Sequence, residues 1–165
     1  MRRTVAIGGF MATGKSTVGA LLARRLSLPF VDLDAVLVAS HGPIAEQFAR
    51  DGEAAFRVAE SAALATVLSG GPCVLATGGG TWCSAANQRL LSSCWRIVLT
   101  APLAVLRARV GAGKARPLWD GVVDARWSAR QAAYADADAV FETSGWTPQA
   151  VADAIADRVT RWEAA

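Results

Sequence analysis

With 165 residues, 53% of them hydrophobic, the chain has the size of one domain and enough apolar side chains to bury a substantial core, but no apolar run approaches the roughly 20 residues that span a bilayer. Its three cysteines, Cys73, Cys83 and Cys94, have no C-x-x-C spacing, which argues against both a disulfide framework and a zinc site. The net charge of +3 comes from dispersed lysines and arginines with no cluster larger than a pair, which argues against a nucleic-acid-binding surface. All three thiols are expected in or near the core. Met1-Arg2-Arg3 runs directly into an apolar segment with no room for a cleavable signal, so a cytoplasmic location without membrane association is expected.

Thr4 to Gly8 reads as a short buried strand. The next eight residues, Gly9-Phe10-Met11-Ala12-Thr13-Gly14-Lys15-Ser16, fit G-x-x-x-x-G-K-[ST], and Val18, Leu21, Leu22 and Leu26 then recur on one helical face. Strand, loop and helix in that order form a phosphate-binding P-loop. Glycines let successive N–H groups point inward, and the helix N-terminus adds its positive dipole end. Lys15 is placed to reach β- and γ-phosphates, and the Ser16 hydroxyl to ligate Mg2+.

Pro29 to Asp32 reads as the second strand. Asp32 and Asp34 are two apart, so in an extended chain their carboxylates share a side. A phosphotransferase needs one acid near the metal and another to orient or deprotonate the accepting hydroxyl. The competing reading is that one aspartate caps a helix starting near Ala35. His41, beside Gly42 and Pro43, reads as an exposed turn residue. Pro43 opens a helix that Gly52 interrupts, and an alanine-rich helix follows from Glu53 to Leu68. On it Arg57 and Glu60 are three apart, a spacing usually seen in solvated pairs, although a guanidinium there is also suited to a bidentate grip on a carboxylate.

Gly70-Gly71-Pro72 ends that helix and Cys73 to Ala76 is the third strand. The run Thr77-Gly78-Gly79-Gly80 is costly in backbone entropy and points to close approach of the backbone to a ligand. A helix to about Leu91, a strand from Trp95 to Leu99 and a helix from Pro102 to near Arg109 come next. Gly111 and Gly113 then open a charged, arginine-bearing segment, about 111–125, read either as a surface loop or as a mobile lid closing on phosphate. A helix from Arg126 to Tyr134 leads to the strand Ala139-Val140-Phe141. Thr147 as N-cap and Pro148 at the first helical position begin a last helix with the apolar stripe Val151, Ile155, Val159 and Trp162. The expected fold is α/β: a single-domain P-loop fold over 1–165, with a five-stranded parallel sheet, helices on both faces, the lid, and a substrate-binding helical segment over about 33–60.

Taken in order, these motifs resemble the shikimate kinase family. The matching residues are the P-loop through Thr17-Val18-Gly19, Phe30-Val31-Asp32-Leu33-Asp34, Phe48, Gly52 to Arg57 with Glu60, Thr77 to Gly80 with Asn87, Arg116-Pro117-Leu118, and Arg130 with Tyr134. The resemblance implies a monomeric enzyme that phosphorylates the 3-hydroxyl of shikimate from ATP with Mg2+. It assigns Lys15 to the transferring phosphate within a nucleotide site of Gly9, Ala12, Thr13, Gly14, Lys15, Ser16 and Thr17. It gives Mg2+ to Ser16 and, through water, Asp32, and gives the shikimate hydroxyls to Asp34. Arg57 and Arg130 would clamp the carboxylate, and Gly78, Gly79 and Gly80 would meet the ring, the last two through their amides. Arg116 would be the lid arginine on the ATP phosphates, with Arg109 and the turn before Pro148 flanking adenine. The chain departs from the family pattern at Ala12, where a further glycine is usual, at Trp119, usually aliphatic, and in a shorter stretch from Arg116 to Arg130. A kinase for another hydroxylated acid such as gluconate, and a non-catalytic sensor of nucleotide or a shikimate-like ligand, are the alternatives.

Overall fold

A computed structural model of the chain describes residues 2–111 and 123–165. Five strands, β1 (Val5–Gly9), β2 (Phe30–Asp32), β3 (Val74–Ala76), β4 (Trp95–Thr100) and β5 (Ala139–Glu142), form one sheet in the order β2-β3-β1-β4-β5. Every pairing is parallel. The helices are α1 (Lys15–Leu26), α2 (Leu33–His41), α3 (Ile44–Ser69), α4 (Ala85–Leu91), α5 (Leu103–Gly111), α6 (Val123–Ala133) and α7 (Pro148–Ala164).

The two-residue period of the strands sorts the core into two layers. Val5, Ile7, Val74, Ile97 and Leu99 point to one face and pack with Val18 and Leu22 of α1 and Val151, Ile155 and Val159 of α7. Ala6, Leu75 and Val98 point to the other and pack with Leu64 of α3, Leu91 of α4 and Tyr134. Burial of both faces of the central strands β1 and β3 explains why they read as continuous apolar runs instead of alternating ones. Thr147 caps α7 by accepting from the Ala150 amide at 3.2 Å, with Pro148 next in line. At the far end of that helix Trp162 stacks on Trp95 at 4.7 Å, and the Arg3 guanidinium covers Trp95 at 4.2 Å, tying both chain ends to β4.

Several expectations need correction. The helix after the triple glycine is preceded by a 3-10 turn, Thr81–Cys83, because Ser84 caps α4 by accepting from the Asn87 amide at 3.4 Å. Cys73 and Cys94 are buried, but Cys83, at the end of that turn, is exposed and not a core thiol. His41 is exposed as expected, yet it is the last residue of α2 and not part of a turn. Gly111 is still helical, two residues past the expected end near Arg109, and Val123 is already helical, three residues before the expected start of the next helix. Most of the segment read as a lid, with Arg116, Pro117 and Trp119, lies outside the described residues. Gly52 does interrupt α3, with φ 80° and ψ 169°. Among the described residues no helix is long and apolar enough to cross a membrane.

Candidate active site

Ligands of an open parallel sheet bind beyond the carboxyl ends of its strands, and the P-loop leaves the central strand there. Gly9 ends β1 with φ 135°, and a Cβ on it would stand 2.3 Å from the Leu99 carbonyl oxygen, so only glycine lets the chain depart beside β4. The loop is held from within by the Phe10 carbonyl, which accepts from the Thr13 hydroxyl at 2.7 Å and from Lys15 Nζ at 3.0 Å. Gly14, φ 94°, precedes α1, whose N-terminus opens on a cavity of about 150 Å3. Ala12, Gly14, Lys15, Ser16, Thr17, Asp32 and Asp34 are among its lining residues. On the β4–β5 side, Arg109 donates to the Ala12 carbonyl at 3.2 Å and to the carbonyl and hydroxyl of Thr143 at 3.1 and 3.0 Å. It thereby joins the P-loop to the turn that leads into Pro148.

Ala12, the residue that departs from the family pattern, has φ 64°. A left-handed conformation costs a non-glycine residue roughly 1–2 kcal/mol, whereas glycine adds about 0.4–1 kcal/mol of unfolded-state entropy. Ala12→Gly is therefore expected to be neutral or to stabilise the protein by up to about 1 kcal/mol in denaturant unfolding. A clear loss of stability would contradict the strain argument.

Asp32 uses both carboxylate oxygens. Oδ1 accepts from the amides of Asp34 and Ala35 at 3.0 and 3.3 Å, and Oδ2 accepts from the Ser16 hydroxyl at 2.6 Å. One oxygen therefore caps α2 while the other meets Ser16 at the smaller cavity, so the capping geometry leaves an oxygen of Asp32 beside the P-loop. The cap also corrects the expected geometry: it starts α2 at Leu33, so Asp34 lies in the first helical turn and not in an extended strand. The carboxyl of Asp34 is pushed above its ordinary range by burial, and then by the neighbouring charges of Asp32 and Glu60, against the opposing pull of Lys15 and Arg57. The hydroxyl and carboxylate oxygens of Ser16 and Asp32 suit a hard cation. No group of three or more His, Cys, Asp or Glu side chains arranged to hold a metal occurs among the described residues.

A second cavity of about 510 Å3 lies toward β2 and β3. Asp34, Arg57, Gly78, Gly79, Gly80 and Arg130, far apart in sequence, all line it. Lys15 and Asp34 line both cavities. Arg57 donates to Glu60 at 2.9 Å and to Glu53 at 3.3 Å. Burial disfavours its charge, but the two glutamates outweigh that effect and raise its pKa. The solvated-pair reading of Arg57 and Glu60 is overturned: Glu60 is 1% exposed, and its second oxygen accepts from the Thr81 hydroxyl at 2.7 Å. Arg130 sits over the Phe10 ring at 5.1 Å, and the Tyr134 hydroxyl donates to the Gly79 carbonyl at 3.0 Å. Met11, Ile44, Phe48, Phe56 and Glu60 complete much of the wall and were not assigned site roles from sequence. Of these, Phe48 and Phe56 carried a signal in their placement on either side of Gly52. The break there lets their rings meet at 4.6 Å.

Residues 11–160 match the family model described as shikimate kinase. A shikimate kinase of Ruegeria pomeroyi is 41% identical over 157 residues, an alignment spanning 89% of this chain and 79% of the relative. The solved structure of the Acinetobacter baumannii shikimate kinase in complex with shikimate superposes with a TM-score of 0.91 at 27% identity, over 99% of this chain and 96% of that one. A gluconokinase from Sinorhizobium meliloti reaches a TM-score of 0.70 over 98% of this chain and 95% of its own. At 16% identity that likeness is one of fold alone.

Proposed function

This chain belongs to the shikimate kinase family, and we propose that it transfers the γ-phosphoryl group of ATP to the 3-hydroxyl of shikimate, giving shikimate 3-phosphate and ADP. The observation that carries this reading is the meeting of the two cavities at Lys15 and Asp34. A phosphate bound by the P-loop and an alcohol bound beside Arg57 and Arg130 would have their reacting atoms at that junction.

The P-loop amides and Lys15 hold the β- and γ-phosphates, and Ser16 with Asp32 is the pair that would hold Mg2+, whose charge offsets that of the phosphates when bound. Arg57 and Arg130 take the acceptor carboxylate, for which a planar guanidinium fork is suited. Asp34 orients the attacking hydroxyl and accepts its proton as the new O–P bond forms and the bond from the γ-phosphorus to the β–γ bridging oxygen breaks. Arg109 and the turn before Pro148 lie on the side of the P-loop away from the acceptor cavity and are assigned to the adenine, and Arg116 is assigned to the nucleotide phosphates. The four exposed large apolar side chains among the described residues, Val38 of α2, Val58 of α3, Val140 of β5 and Trp146 in the turn before α7, lie on different segments, which supports a monomer. Free cysteines suit the reducing cytoplasm, and the dispersal of the arginines along the sequence favours a small-molecule partner over nucleic acid.

The test is ADP release from Mg·ATP with shikimate, quinate, gluconate or no acceptor. Saturable release with shikimate, and release with the other acids no greater than the no-acceptor control, is expected. Comparable turnover with gluconate would replace this reading with the broader one of a hydroxy-acid kinase.

A further inference from the structure

Gly78, Gly79 and Gly80 are not required for their backbone freedom. None has φ in the left-handed region, and Gly80 sits at φ −94° and ψ −11°, open to any residue. What glycine provides here is room. A Cβ on Gly78 would stand 2.9 Å from Oδ1 of Asp34, one on Gly79 2.6 Å from Nη1 of Arg130, and one on Gly80 2.5 Å from Nη2 of Arg57. At such separations something must move. Each glycine therefore faces a different functional side chain, and the three side chains come from three different elements, α2, α6 and α3.

We propose that Gly78-Gly79-Gly80 is a positioning template in which each bare Cα sets the seat of one group: Gly78 that of Asp34, Gly79 that of Arg130 and Gly80 that of Arg57. This rests on the kinase reading above, in which Asp34 meets the hydroxyl and the arginines meet the carboxylate. Consecutive Cα atoms lie about 3.8 Å apart, so one short run fixes the spacing of groups that the fold delivers separately. The run is itself anchored. The Thr77 amide and hydroxyl both donate to the Ile7 carbonyl at 3.0 Å, the Thr81 amide donates to the Gly78 carbonyl at 3.2 Å, and Tyr134 holds the Gly79 carbonyl. At Gly79 and Gly80 the atoms a methyl group would meet first are the far ends of long arginine side chains, so an alanine displaces the side chain and leaves the backbone in place, whereas at Gly78 the methyl meets Asp34 first and also comes within 3.3 Å of Glu60 Oε1 and Thr81 Oγ1. The consequence is kinetic, and it differs from one glycine to the next.

Steady-state kinetics with ATP and shikimate separate the three. Gly78→Ala is expected to lower kcat about tenfold or more with shikimate KM near wild type, since misplacement by about 1 Å can cost up to 10²-fold. Gly79→Ala and Gly80→Ala are expected to raise shikimate KM about tenfold while ATP KM stays within about twofold. In an Arg57→Ala background Gly80→Ala should add less than about twofold, because the group it displaces is gone. Equal kinetic defects in all three variants, or full additivity of Gly80→Ala with Arg57→Ala, overturns the template. An Arg57→Ala enzyme with unchanged shikimate KM overturns instead the carboxylate-clamp reading on which the template rests. Thermal midpoints within about 3 °C of wild type establish folding. Should Gly78→Ala fall outside that range, the cycles of Gly79 with Arg130→Ala and Gly80 with Arg57→Ala decide the proposal.

Discussion

Asp34→Asn is expected to lower kcat by about 10²–10⁴-fold, the usual contribution of a positioned general base, while making the protein more stable at neutral pH. The two effects have one origin. Burial, followed by the charges of Asp32 and Glu60, holds the Asp34 carboxyl above its ordinary value of 3.8. The folded protein therefore binds this proton more tightly than the unfolded chain does. Stability from this group is fully present below the unfolded value and is lost as the pH rises through the folded one. Ionising this carboxyl is therefore a net cost once the pH has risen through its folded value, a cost a neutral amide of the same shape does not carry. Thermal unfolding of Asp34→Asn and wild type between pH 4 and 8, alongside turnover, checks both halves. The variant's advantage in Tm should be greatest at neutral pH and shrink toward acid. A variant that is inactive and also less stable at pH 7 would show that Asp34 contributes to packing instead of being held at a cost for chemistry.

The sequence and the structure agree best where one short-range physical rule suffices. The P-loop pattern, the Thr147-Pro148 start of α7 and the break at Gly52 are each set by a few neighbouring residues, and each stands where the spacing predicts. The central strands β1 and β3 were legible because burial on both faces makes them uniformly apolar, whereas the edge strand β5 alternates, with Val140 exposed. What the sequence concealed depends on which elements meet. Asp32 could be read as a cap or as a site residue, and only the approach of Ser16 from α1 reveals that each oxygen takes one role. The triple glycine pointed to close approach of the backbone to a ligand, and the structure places side chains of this chain, Asp34, Arg130 and Arg57, beside it. Met11 and Ile44, which line the larger cavity, carry no pattern that separates them from ordinary core residues. The likeness in order of motifs to a known family narrowed the chemistry further than any single motif did.

Glu60 is the residue whose importance the helical spacing most understated, and its loss should be felt in stability, acceptor binding and pH dependence together. Its carboxylate is 1% exposed and holds Arg57 and Thr81. Removing one partner of a fully buried ion pair costs about 3–5 kcal/mol. Here Arg57 is 31% exposed and retains Glu53, so a loss of about 2 kcal/mol is expected for Glu60→Ala after discounting for solvent. Shikimate KM should rise about tenfold as the guanidinium loses its fixed orientation. Glu60→Gln preserves shape and the Thr81 contact, and so isolates the charge. Because the charge of Glu60 raises the Asp34 pKa and that of Arg57 lowers it, the acid limb of the kcat profile should move to lower pH in Glu60→Gln and to higher pH in Arg57→Ala. Opposite displacements from two residues in contact with each other are what a charge network acting on one base produces, and a purely structural role for the pair predicts no such opposition. Identical profiles in both variants would remove Asp34 from the rate-limiting proton transfer.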